Sequence, residues 1–173
     1  CEPDGSKLEL FATGLRNPQE LAFDDHGNLF AGDNDTAGAD ASRVLYVVEN
    51  GDYGWRCAYQ HMDGFGPWVA ESVWKGGVDG LLPGAGFAAQ GPSGMAFHPG
   101  TGTAELAGRM LLCDFPGGIV AFRLDPLGAG FEVEDVERVV WSLWPSDVCF
   151  GPDSALWILD WVSGWAQPNK GRI

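Results

Sequence analysis

The chain has 173 residues, a net charge of −14 and 45% hydrophobic residues, among them 8 Trp and 10 Phe. That apolar content suffices for one domain with a core and excludes a disordered tail. The acidic balance excludes nucleic-acid and anionic membrane surfaces as partners, because both select basic patches.

With 26 Gly and 11 Pro, the chain is punctuated for many short strands rather than long helices. No run of about 18 apolar residues is present to span a bilayer. The sequence starts at Cys1 without Met or a leader and stops at Gly171-Arg172-Ile173, where a strand begins. The expectation is therefore a piece of a longer chain. Cys1, Cys57, Cys113 and Cys149 form no CxxC pair. Zinc and covalent haem are thus not expected in this segment, and buried free thiols or one or two disulfides are both open.

In chain order, Cys1 to Thr13 reads as a hairpin: Pro3-Asp4-Gly5-Ser6 makes a turn, and Leu8, Leu10 and Ala12 alternate with Glu9 and Phe11. A turn at Arg16-Asn17-Pro18 leads into a strand at Leu21 to Phe23, a tight turn at Asp25 to Asn28, and a second strand at Leu29 to Ala31. Next comes a loop rich in carboxylates and amides: Asp33, Asn34, Asp35 and Asp40. A β-branched strand, Arg43 to Glu49, closes on Tyr53-Gly54-Trp55. From Gln60 to Pro92 the pattern is irregular and reads as a long excursion between strands.

The first strand motif then recurs. Pro18-Gln19-Glu20-Leu21-Ala22-Phe23 is echoed by Pro92-Ser93-Gly94-Met95-Ala96-Phe97 and by Pro145-Ser146-Asp147-Val148-Cys149-Phe150. Each is followed by a turn and an apolar strand: Leu29-Phe30-Ala31, Met110-Leu111-Leu112 and Leu156-Trp157-Ile158-Leu159, soon ending in Asp33, Asp114 or Asp160. Phe23, Phe97 and Phe150 fall 74 and 53 residues apart. Small antiparallel sheets repeating every roughly 40–50 residues mark a β-propeller. Ile119 to Leu124 and Val136 to Trp141 complete the middle sheet, and no helix is expected. The fold class is all-β: residues 1–173 as one partial β-propeller domain of about three four-stranded blades, with blades missing at both ends.

Stretches in both halves of the chain carry a family resemblance. Gly14-Leu15-Arg16-Asn17-Pro18-Gln19 with Leu21-Ala22-Phe23 and Tyr53-Gly54-Trp55 resembles the soluble quinoprotein glucose/sorbosone dehydrogenases. So do Gly91-Pro92-Ser93-Gly94-Met95-Ala96-Phe97, Gly108-Arg109-Met110-Leu111-Leu112 and Asp147-Val148-Cys149-Phe150-Gly151-Pro152-Asp153. More narrowly, the opening motif and Asp160-Trp161 with Gly164-Trp165 look like a bacterial group labelled membrane-bound dehydrogenases, in which the propeller is often joined to helical repeats and a c-type haem domain.

The resemblance implies a six-bladed propeller that binds pyrroloquinoline quinone (PQQ) and calcium. It implies oxidation of a sugar or alcohol, electron transfer to a haem domain outside this segment, and a periplasmic, envelope or secreted location. It places Arg16 and Asn17 at the quinone, where guanidinium and amide suit carboxylate and quinone oxygens. Asp33, Asn34, Asp35 and Asp40 become the candidate calcium ligands, hard oxygens being what Ca²⁺ selects. The family's cofactor arginines are not matched at Trp144-Pro145-Ser146-Asp147-Val148, nor its lysine near Phe115 to Val120. The family's catalytic His has no counterpart in the settings of His26, His61 and His98, so no catalytic residue is assigned.

Each candidate has a plainer use. The acidic loop serves equally as a solvated turn capping backbone N–H groups. Arg16 could pair with Asp33 or Asp114, and Asp114 and Asp160 could be structural acceptors. Trp55, Trp144, Trp157, Trp161 and Trp165 could stack on sugar rings, although packing between blades is the more ordinary use. His26 and His98 are expected at the surface, and Gly27 and Gly118 at positive φ. Two further functions stand beside the dehydrogenase: a non-catalytic propeller that binds carbohydrate or protein, and a structural spacer.

Overall fold

The computed structural model describes residues 1–35, 41–56, 81–98, 100, 104–164 and 169–173. Among these, the only helical element is a 3-10 turn at Ala104–Leu106, and no helix is long and apolar enough to cross a membrane. Eleven strands account for the rest of the regular structure: β1 (Ala12–Thr13), β2 (Pro18–Phe23), β3 (Leu29–Asp33), β4 (Arg43–Val47), β5 (Gly51–Asp52), β6 (Pro92–Phe97), β7 (Met110–Asp114), β8 (Gly118–Leu127), β9 (Gly130–Val140), β10 (Pro145–Phe150) and β11 (Leu156–Asp160).

Three successive antiparallel sheets follow the three copies of the motif. They are β2-β3-β4, the complete four-stranded β6-β7-β8-β9, and β10-β11. The fold is a partial β-propeller. Gly86 extends the first sheet through a bridge to Val44, and Arg172 extends the third through a bridge to Asp160. The three copies also share their irregularity. Pro18, Pro92 and Pro145 pair with Asp33, Asp114 and Asp160, and the register slips just after each proline. Proline at the first strand position gives up no ladder bond.

The core lies between the sheets. Ala22, Phe30 and Val44 of the first sheet meet Met95, Met110, Leu112 and Phe122 of the second. Leu111, Cys113 and Ile119 from the other face of the second meet Val148 of the third, with Phe150 and Ile158 packed against them. Each sheet thus has a leading face and a trailing face, as alternating side chains require. A smaller cluster of Ala31, Leu45, Val47 and Tyr53 lies under Ala12 and Leu15 on the outer side of the first sheet.

Several expectations need correction. Cys1 to Thr13 is not a hairpin. The turn forms, with the Gly5 N–H donating to the Glu2 carbonyl at 2.9 Å, but only Ala12–Thr13 is strand, and it pairs in parallel with Gly51–Asp52. Leu8 and Leu10 are exposed. His98 is buried rather than at the surface: its ring meets Phe150 edge-on at 4.9 Å, and its Nδ1 accepts the Gly100 N–H at 3.1 Å. Cys113 is buried as expected, whereas Cys1 and Cys149 are exposed; all three are free thiols. Gly27 and Gly118 have positive φ, as the turns require. Cys57, His61, Trp68, Trp74, Trp165 and Asp40, with most of the Gln60 to Pro92 excursion, lie outside the described residues.

Candidate ligand face at the strand ends

The three strand-end aspartates form one repeated device. Asp33 Oδ1 accepts the backbone N–H groups of Arg16 (2.9 Å) and Asn17 (2.8 Å), the two residues just before Pro18. Its Oδ2 accepts Arg43 Nη2 at 2.9 Å and Nε at 3.2 Å. Asp114 Oδ1 takes the N–H groups of Gln90 (3.0 Å) and Gly91 (3.1 Å), just before Pro92, while Oδ2 takes Arg138 Nη2 at 2.6 Å. Asp160 Oδ1 takes the N–H groups of Trp144 (3.0 Å) and Val162 (2.9 Å), and Oδ2 takes Arg172 Nε at 2.9 Å.

All three carboxylates are buried, so each needs this full set of donors. Burial pushes Asp160 up. The N–H groups of Val162 and Trp144 and then Arg172 outweigh that and hold its carboxyl below the usual range. Arg43 and Arg172 occupy equivalent places opposite the aspartate. The middle blade has Gly118 there, where any Cβ would collide with the Val140 carbonyl. Its guanidinium comes instead from Arg138, one strand farther out, which also donates to the Gly117 carbonyl. Reading the sequence identified the aspartates but not their arginines; the signal was the recurrence of Arg where the chain returns to pair with the aspartate, in two of three copies.

Arg16 and Asn17 therefore stand at the strand ends with their backbones fixed by Asp33. The Arg16 side chain donates through Nη1 to the Asn34 carbonyl at 3.2 Å and meets no carboxylate among its described contacts. Asn17 Oδ1 accepts Gln19 Nε2 at 2.7 Å. The acidic loop is pinned by the buried Ser42, whose hydroxyl donates to the Gln90 carbonyl at 2.6 Å and accepts the Asp35 N–H at 3.0 Å. Between the first two sheets this leaves a groove of about 740 Å³ lined by Asn34, Asp35, Gln90, Phe115, Gly117 and Arg138.

Beside the groove, Phe115 stacks on Trp161 (centroids 5.6 Å apart, planes at 29°) and meets Trp144 edge-on at 5.2 Å. All three rings are half-buried at loops following strand ends. Trp157 is different: it lies on a strand and is exposed.

A second cluster, unmarked in the sequence, sits on the inner strands. Glu20, Gly94 and Asp147 hold the same position in β2, β6 and β10. Glu20 and Asp147 are close enough to perturb each other, and Asp147 lies against Gly94. Burial first, and then the Asp147 hydrogen bond and charge, raise Glu20 from 4.5 to about 7, against a lowering backbone donor from Met95. Burial and the same two carboxyls push the Cys113 thiol up to about 12, so it is no nucleophile at neutral pH.

The donor sets decide which groups the face suits. Of the four candidate calcium ligands, Asp33 spends both oxygens on nitrogen donors and the Asn34 carbonyl is taken by Arg16. Among the described residues no group of three His, Cys, Asp or Glu is placed to hold a metal. The described part of the loop does not form a calcium cage. PQQ carries three carboxylates. Against them the described face offers Arg16, while Arg43, Arg138 and Arg172 are each neutralised by an aspartate. The described residues therefore do not fit the quinone as a tri-anion, and no chemical step is derived through it.

The fold defines a β-propeller segment, with the aspartate devices at its strand ends. The chain belongs to the glucose/sorbosone dehydrogenase family, whose model matches residues 2–163. Similar solved structures include an oxidoreductase (glucose dehydrogenase) from Thermus thermophilus, at 25% identity and TM-score 0.66 over 92% of this chain and 43% of that one. The apo form of the soluble aldose sugar dehydrogenase of Escherichia coli is 19% identical, with TM-score 0.65 over 92% of this chain and 46% of that one. A PQQ-bound aldose sugar dehydrogenase from Streptomyces coelicolor is 22% identical, with TM-score 0.58 over 94% and 42%. The chain thus spans less than half the length of these relatives. No curated protein matches the sequence.

Proposed function

We propose that this chain forms part of the ligand face of a sugar- or alcohol-binding propeller of the dehydrogenase type, with Arg16 and Asn17 directed at the ligand. The observation that carries this is the setting of Arg16. Its backbone is fixed by Asp33, its guanidinium rests on a carbonyl, and its positive charge is left for a ligand oxygen. In the full redox form of the reading, PQQ and calcium would be held here and at Asp35 and Asp40. The partner would be a c-type haem domain of the same protein, in the periplasm or envelope.

A specific observation favours the second reading, a propeller that binds carbohydrate without a quinone. Three arginines are consumed by aspartates, and the half-buried Phe115, Trp144 and Trp161 present the kind of aromatic surface on which sugar rings stack. Titrating the protein with PQQ in the presence of calcium separates the two. Saturable binding at micromolar cofactor, lost in Arg16→Ala, supports the redox form. Glycan binding that is weakened by Trp161→Ala, with no PQQ uptake, supports the second. Binding of neither ligand would overturn the assignment of this face.

A further inference from the structure

We propose, resting on the carbohydrate reading of this face, that it holds two adjoining subsites, one polar and one aromatic, so that its ligand is a neutral oligosaccharide rather than a single sugar. Equivalent positions in the three copies of the repeat change character in order across the face. The residue just before the motif proline is Asn17, then Gly91, then Trp144, and the residue just after the strand-end aspartate is Asn34, then Phe115, then Trp161. The first copy presents two amides at these places, the second a bare backbone and one ring, and the third two indoles. Each residue before the proline is held by its aspartate through the backbone N–H. The Phe115 and Trp161 N–H groups donate in turn to the carbonyls of Gly91 (2.8 Å) and Trp144 (2.9 Å).

The turn after Trp161 is strained as well as pinned. Val162 has a φ of +64°, and the Ser163 N–H donates to the Trp161 carbonyl at 2.7 Å, closing a three-residue turn around a β-branched residue that rarely adopts it. Gly164 packs where any Cβ would strike the Trp144 ring. Strain of this kind persists where surrounding contacts over-determine it, and it collects at ligand contacts. Here it sets Trp161 against Phe115, the ring that also lines the groove with Asn34, Gln90 and Arg138. Amide groups suit sugar hydroxyls, and aromatic rings suit the apolar face of a pyranose. Phe115 belongs to both regions, so one ring of a ligand in the groove leaves the next beside the indoles. Arg138 is neutralised by Asp114 and Asp35 adds a carboxylate to the groove, which selects a neutral sugar over an acidic one.

The test titrates the full-length protein with glucose and with the malto- and cello-oligosaccharides from dimer to hexamer, following tryptophan fluorescence and heat. Affinity should rise about tenfold or more from glucose to the trimer in one of the two series and then level off. Trp161→Ala should lower that ratio at least about fivefold, and Trp161→Phe, which keeps a ring for stacking, should restore most of it. Melting curves confirm that both variants are folded. Glucose and trimer binding within about twofold of each other would overturn the two subsites while leaving the carbohydrate reading in place. So would a chain-length gain that Trp161→Ala leaves intact. If none of these sugars binds, the carbohydrate reading falls and the two subsites fall with it.

Discussion

Asp33 and Asp160 make the same bonds in different surroundings, and that difference sets what each is worth. The Arg43 side chain is 28% exposed and also donates to the carbonyls of Tyr53 (2.7 Å) and Gly14 (3.0 Å). Arg172 is 63% exposed, so water can replace its partner. Changing Asp33 to Asn leaves a mostly buried guanidinium without its anion, at a cost of about 3 kcal/mol. The same change at Asp160 should cost about 1 kcal/mol, because a solvated pair is weak. Urea unfolding of the two variants gives the comparison, and equal losses would mean that the Arg43 hub is not what holds the first sheet. At the same scale, Glu20 has a folded pKa of about 7 against an ordinary 4.5. Between those values the folded state binds more protons than the unfolded state, so stability falls as pH rises through that window. Screening by solvent limits the effect to roughly 1 kcal/mol. Glu20→Gln keeps a donor toward Asp147 and should flatten the decline in melting temperature between pH 5 and pH 8; an unchanged slope would assign the decline to other groups.

Between strands, the recurring Pro-x-x-apolar-small-Phe motif was enough to find β2, β6 and β10, because a periodic apolar pattern followed by Asp reports a buried strand directly. The N-terminal segment shows why such a pattern can mislead. Leu8, Leu10 and Ala12 alternate as a strand should, yet a strand needs a partner ladder, and only Ala12–Thr13 has one. β8 and β9 begin earlier or run longer than the expected Ile119 to Leu124 and Val136 to Trp141, and β8 continues through Pro126. Beyond Phe122, β8 pairs only with β9, so a proline with one open side loses little. The Asp33, Asp114 and Asp160 acceptors were visible through the repeat. Their arginines come from three different sequence distances and could not be matched before the sheets were seen. The Glu20–Asp147 pair was hidden for a related reason: its members lie on the first and third sheets and meet only because Gly94 separates them. A Cβ at Gly94 would collide with the Asp147 backbone. Gly94→Ala should therefore cost roughly 2 kcal/mol by overpacking, although alanine is ordinarily the better strand residue. A variant melting within a degree of wild type would show that the inner strands yield more easily than their close approach implies.

Across the whole molecule, two electrostatic effects oppose each other. The net charge of −14 on 173 residues repels itself in the compact state and between copies, while the Asp–Arg pairs attract. Salt screens both, but not equally. At about 0.15 M the screening length is about 8 Å, shorter than the separation of most surface charges, whereas buried pairs are shielded from ions. Asp33 and Asp114 are buried and their arginines are mostly covered, so their attraction survives salt that removes the diffuse repulsion, whereas the solvated Asp160–Arg172 pair is screened with the rest of the surface. Raising sodium chloride from about 0.02 M to about 0.5 M, beyond the range where surface charges still interact, should raise the melting temperature. Scanning fluorimetry over one salt series would follow it. If the melting temperature fell instead, the exposed pairs such as Arg123 with Asp135 would outweigh the diffuse repulsion, and the aspartate anchors would be less sheltered than their burial indicates.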